Sequence, residues 1–114
     1  WPAGHPRVRA VTAVGRRGRV YGAAQRGDHL ALAAPGVGLL AATSLRGARE
    51  KTGTSFAVPF VTAAAALIVG SGATGDEARQ ALTASASDLG APGRDAVFGH
   101  GLLSLDRLCG SQAE

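Results

Sequence analysis

The chain has 114 residues, 46% of them hydrophobic, with 17 glycines and 4% aromatic residues, which excludes a disordered chain and bounds it to one domain or a piece of one. Much of the apolar content is alanine, which buries little area per side chain, so a core built from these residues alone is thin and a larger body is expected. A formal charge of +4 raises the question of a nucleic-acid partner, but only Arg16, Arg17 and Arg19 cluster, and they flank Gly18 as in a turn; a solvated, arginine-rich surface and no nucleic-acid partner are expected.

In chain order, Val8 to Val14 reads as a buried strand that ends at the turn Gly15-Arg16-Arg17-Gly18, with Val20 and Tyr21 as a short pairing strand. Leu30 to Ala34 is a second apolar run. Pro35-Gly36 closes it as a turn in which proline fixes φ and glycine is free to take a positive one. Val37 to Ala42 resumes as a strand, and the polar stretch from Ser44 to Thr52 is expected on the surface. A long helix opens at Thr54-Ser55 and runs to about Val69, because Pro59 is tolerated only in a first turn. It is apolar on nearly every face, which predicts burial all round, with Ala63 to Ala66 letting it lie close against a sheet. Gly70-Ser71-Gly72 ends it.

A second helix is predicted from Thr74, which has capping-box spacing to Glu77, to about Ser87, with Ala78, Leu82 and Ala86 on its apolar stripe. Gly90 to Asp95 is a loop, Val97-Phe98-Gly99 a short strand, and Leu102 to Leu108 a last short helix. Strands mixed with buried and amphipathic helices indicate an α/β architecture. Cys109 is the single cysteine, so no disulfide forms within the chain, and it reads as an incidental thiol. No apolar run is long enough for a membrane span. Asp28, Asp88 and Asp95 are isolated and read as turn or capping residues, so no metal site is expected in this segment.

The stretch Gly53-Thr54-Ser55-Phe56-Ala57-Val58-Pro59 carries the chemistry. A serine at the start of a buried helix is held in place beside the helix's positive end. The N–H groups of that first turn have no helical acceptor and can face an oxyanion formed in acyl transfer. The same residues also suit a plain Thr or Ser N-cap, and the heptapeptide by itself supports both readings.

With its flanks the segment resembles the nucleophile segment of the subtilases, the subtilisin-like serine proteases. Gly-Thr-Ser-x-Ala-x-Pro precedes a small-residue apolar helix. Ala33-Ala34-Pro35-Gly36-Val37 is similar to the family's Ala-Pro-Gly strand–turn element, and Pro6 to Val14 to its Pro-x-Val-Ile-x-Val-x-Ala-Val strand. Gln25-Arg26-Gly27 falls where the family often has Ser-Asn-x-Gly. Phe98-Gly99-His100-Gly101 resembles the Tyr/Phe-Gly-x-Gly that closes many such domains. Phe60 stands where the family usually has His, Phe56 replaces the commoner Met, and Arg9 is unusual in its strand and suggests an edge or exposed face.

The resemblance implies the C-terminal part of a three-layer α/β/α domain with a mostly parallel sheet, spanning residues 1–114, with the part bearing the triad Asp and His upstream. It implies Ser55 as the nucleophile of a serine endopeptidase, with Gly53 and Thr54 against the substrate. Trp1-Pro2 resembles an aromatic-Pro pair near the specificity pocket, although a chain start lying on the surface is the other reading of that pair. His5, His29 and His100 lack the family's His-Gly-Thr context. The oxyanion Asn is likewise expected upstream, so the 114 residues are expected to be inactive alone, with the long helix uncovered on one side. The partners implied are a polypeptide substrate and the upstream part of the same domain, and the location implied is secreted or periplasmic. No cofactor is expected in this segment, while structural calcium belongs to the family's whole domain. The alternatives are a non-catalytic subtilase-like pseudoenzyme and a basic binding module.

Overall fold

A computed structural model describes residues 2–110. β1 (Ala10–Val14) and β2 (Leu30–Pro35) pair in parallel, with Ala13 opposite Ala34 and Val14 opposite Pro35. Both are runs of small or branched apolar residues, and β2 is buried from Leu30 to Ala34, as expected of a strand covered on both faces. A 3-10 turn at Arg16–Gly18 follows β1, with Arg17 at φ 66°. It brings Val20 back as a single antiparallel bridge to Val14, so the short second strand of the sequence reading is one bridge long.

The polar stretch before the serine is more ordered than expected. β3 (Leu39–Ala42) and β4 (Ala48–Lys51) form an antiparallel hairpin around Arg46 and Gly47, both at positive φ. Ala-Arg-Glu-Lys carries no strand signature of its own; the turn and its pairing partner impose the conformation.

α1 (Thr54–Gly70) packs on β1, β2 and α2 (Gly75–Ser85), and α3 (Leu105–Gly110) packs on α2. Ala57, Val61 and Ala64 recur at helical spacing and are buried, meeting Ala13, Leu32, Ala34 and Leu82 in one core. Burying Val61 or Leu82 contributes about 2 kcal/mol each. Outside that stripe α1 is not buried: Val58 and Val69 on one flank and Phe60 and Leu67 on the other are 41–68% exposed. Burial all round is therefore corrected to burial on one face, because the described residues supply one packing surface for it. Pro59 sits five residues past the start of α1, beyond the first turn. Its missing N–H deprives only the Ser55 carbonyl, at the exposed helix end.

α2 begins as its sequence predicts. Thr74 Oγ1 accepts from the Glu77 N–H at 3.2 Å and Glu77 Oε2 accepts from the Thr74 N–H at 2.8 Å. The last apolar segment is extended rather than helical until Leu105. His100 N–H donates to the Ala31 carbonyl, Gly101 C=O accepts from Ala33 N–H, and Leu103 N–H donates to the Ala33 carbonyl, each at 2.8 Å. The strand expected at 97–99 thus lies at 100–103, on the edge of β2 away from β1. Gly99 must be glycine there: at φ 61°, a β-carbon would stand 2.5 Å from the Ala31 carbonyl.

Candidate active site

The end of β2, the end of β1 and the start of α1 meet at one point. Gly36, just past β2, donates to the Val14 carbonyl at 3.0 Å and accepts from the Gly53 N–H at 2.8 Å. A β-carbon on Gly36 would lie 2.5 Å from Ala13 Cβ, 2.8 Å from the Gly53 oxygen and 3.1 Å from Ala57 Cβ. Glycine is thus required at 36 by close backbone approach, whereas the turn reading expected a positive φ; that conformation falls on Gly38, at φ 64°.

Gly53 has φ 157° and ψ 158°, a backbone that residues with a side chain rarely adopt. It is the N-cap of α1 and makes no side-chain cap bond. That decides against the plain capping reading of Thr54 or Ser55: both lie inside the helix as its first two residues. The Phe56 N–H closes onto the Gly53 carbonyl at 3.0 Å, so the turn is tight. It leaves Ser55 exposed in the first turn, where no preceding helical carbonyl takes up its N–H. Thr52 steadies the approach, its Oγ1 accepting from the Gly38 N–H at 2.9 Å; nothing in the sequence pattern singled out that contact.

Beside this turn a cleft of about 520 Å³ runs along the outer edge of β1, lined by Pro2, Ala3, Val11, Thr12, Thr54 and Val58 among others. Thr12 is fully buried and its Oγ1 has no partner among the described residues. Thr54, expected against the substrate, lines the cleft, and Gly53 forms the backbone turn next to it. Trp1 lies outside the described residues.

None of the three histidines meets Ser55. His5 Nδ1 accepts from the Arg7 N–H at 3.1 Å. His29 borders the cleft in the loop before β2. His100 lies on the far edge of β2, near Arg9 and Arg94. Burial, then the charge of Arg94 and of Arg9, holds its pKa below the usual histidine value. Among the described residues the Ser55 hydroxyl has no hydrogen-bond partner. Asp88 and Asp95 are turn residues as expected: Asp88 accepts from the Gly93 N–H at 2.6 Å, and Asp95 from the Val97 and Phe98 N–H groups at 2.8 Å each. Among the described residues no three His, Cys, Asp or Glu side chains gather as a metal site would need. Cys109 is exposed within α3 rather than in a tail.

The model of the subtilase family matches residues 1–101. The chain belongs to the subtilase family. Among solved structures, the subtilase chain superposes on the prenylagaramide maturation protease PagA with a TM-score of 0.81 at 28% identity, covering 99% of this chain and 45% of that one. It superposes on fervidolysin from Fervidobacterium pennivorans, a keratinolytic enzyme related to subtilisin, with a TM-score of 0.82 at 31% identity, covering 95% and 20%. The patellamide maturation protease PatA matches at 33% identity with a TM-score of 0.76, covering 94% and 43%. A search of the curated proteins returned no match. The chain therefore spans between a fifth and less than half of each of these structures. Its fold is the α/β fold of subtilisin-like proteases, and the strand–turn and Gly-Thr-Ser elements fall within the matched residues.

Proposed function

We propose that this chain supplies the nucleophile segment of a serine endopeptidase, in which Ser55 Oγ attacks the scissile carbonyl. One observation carries the proposal: Ser55 is free of capping duty and stands exposed in the first turn of a helix buried on one face, after a glycine whose backbone other residues rarely adopt. In this reading a histidine outside these 114 residues takes the serine proton and returns it to the leaving amine. A carboxylate orients that histidine, and water then releases the acyl-enzyme. First-turn N–H groups of α1 and the helix's positive end stabilise the developing oxyanion. Thr54 and the cleft it lines hold the polypeptide substrate. The fold's relatives include proteases with polypeptide-processing names, which supports a polypeptide substrate; a secreted or periplasmic site of action goes with this reading through the subtilase family alone. The 114 residues alone are inactive in this reading, because a serine without its base is a weak nucleophile.

The test is peptide hydrolysis by the product of the whole coding region and by its Ser55→Ala variant. A drop in kcat of about 10⁶-fold with little change in KM is the expected result. Hydrolysis that survives Ser55→Ala removes Ser55 from the mechanism. A wild-type protein with no hydrolysis at all favours the non-catalytic, binding-only alternative.

A further inference from the structure

Arg9 lines one end of the cleft beside Ser55 but takes no part in the serine chemistry. It stands just before β1, half-buried rather than on an open edge, and its guanidinium reaches across to α2. Nη2 donates to Thr83 Oγ1 and to the Arg79 carbonyl, the latter at 3.5 Å. Its Nε is buried with no partner among the described residues. A buried donor left unmade is costly, and here it belongs to a group that is also charged.

Two more arginines crowd the same place. Arg79 is anchored through Nη2 to the Arg7 carbonyl at 3.1 Å, and Arg94 through Nη2 to the Leu30 carbonyl at 3.2 Å. Burial and then the charges of Arg79 and Arg94 pull the Arg9 pKa below its ordinary value, and His100 is pulled down in the same way. Between these groups lie two adjoining openings of about 270 and 360 Å³, and Arg9 and His100 line both. Arg94, His5, His29 and Asp28 complete the first; Arg79, Gln80 and Thr83 border the second. Among the described residues the one ion pair here is Arg79 with Asp76, at 3.5 Å on the exposed side of α2.

We propose that this cleft, between the start of β1, α2 and the segment Arg94–His100, binds a small tetrahedral oxyanion of the phosphate or sulfate kind. The three guanidinium groups are held by backbone carbonyls; Arg9 and Arg94 share the first opening and Arg9 and Arg79 the second, so an anion in the first meets Arg9 and Arg94 and relieves the repulsion around Arg9. The site lies at the start of the parallel pair, whereas Ser55 lies beyond its end. Five strand residues separate the two, roughly 16 Å; the first opening adjoins the Ser55 cleft through Arg9 and His29, but anion binding does not require Ser55 to react.

Phosphate, sulfate and acetate are titrated separately into the protein at about pH 6.5, near the ordinary histidine pKa, with ionic strength held constant by sodium chloride. Calorimetry reads affinity and NMR reads the His100 ring. Phosphate and sulfate bind saturably at one site, about tenfold tighter than acetate, and Arg94→Gln and Arg9→Gln each weaken phosphate about tenfold. Arg17→Gln, a change on the exposed turn after β1, leaves the affinity unchanged. Bound phosphate also raises the depressed His100 pKa, because the anion favours the imidazolium. Arg94 is exposed and makes one backbone contact, so its variant keeps the test alive where Arg9→Gln disturbs folding. Heats no larger than those of chloride, or an equal loss in Arg17→Gln, overturn the proposal.

Discussion

The two faces of α1 differ in kind although their compositions are alike. The inner face is built from side chains small enough for the backbone of β2 and the start of the helix to touch: Ala57 lies against Gly36, and Val61 and Ala64 follow it into the core. The outer face is made by the flanks of that inner stripe, Val58 and Val69 on one side and Phe60 and Leu67 on the other, larger and equally apolar, and all exposed. Apolar side chains left largely in water contribute little to holding the helix, so the inner face chiefly fixes where Ser55 stands. The difference teaches that the placement of Ser55 is a property of the Gly36–Gly53–Ala57 junction, and that helix hydrophobicity by itself does not report burial.

The comparison can be broken at graded cost. Gly36→Ala forces a β-carbon into Ala13 and the Gly53 carbonyl, and should lower stability in urea denaturation by about 3 kcal/mol. Ala64→Leu, on the inner face, overpacks the same core and should cost about 2 kcal/mol. Gly38→Ala pays only for its left-handed φ, with nothing within 4 Å of the added carbon; about 1 kcal/mol is expected. Leu67→Gln, on the outer face at 68% exposure, should change stability by no more than about 0.5 kcal/mol and should reduce binding of an apolar dye. A large loss in Leu67→Gln together with a small one in Ala64→Leu would reverse the assignment of the two faces.

What could be read from the residues follows the same division. Periodicity and caps located β1, β2, α1 and α2 to within two residues, because Thr74 with Glu77 and the apolar runs act locally. The Gly-Thr-Ser stretch marked the start of α1, where the proposed nucleophile Ser55 stands, for the same reason. Of the hairpin, β3 was read as part of a strand from Val37 to Ala42, but β4 was missed because Ala48 to Lys51 become a strand only through their partner and the turn at Arg46-Gly47. The pairing of 100–103 with β2 is long-range, and only the glycines at 99 and 101 hint at it. The role of Gly36 was misjudged, since a close approach between distant segments leaves no local mark. Arg9 looked like an edge residue because neither Thr83 nor Arg94 is near it in sequence.

The central claim is that the junction presents Ser55 as a nucleophile whose base lies outside these residues. A fluorophosphonate probe, which modifies an activated serine, tests it directly, with mass spectrometry locating the adduct. The account predicts modification at Ser55 in the product of the whole coding region and none in the 114-residue chain alone. Rapid modification of the isolated chain at Ser55, or of the whole product at any other serine, would contradict it.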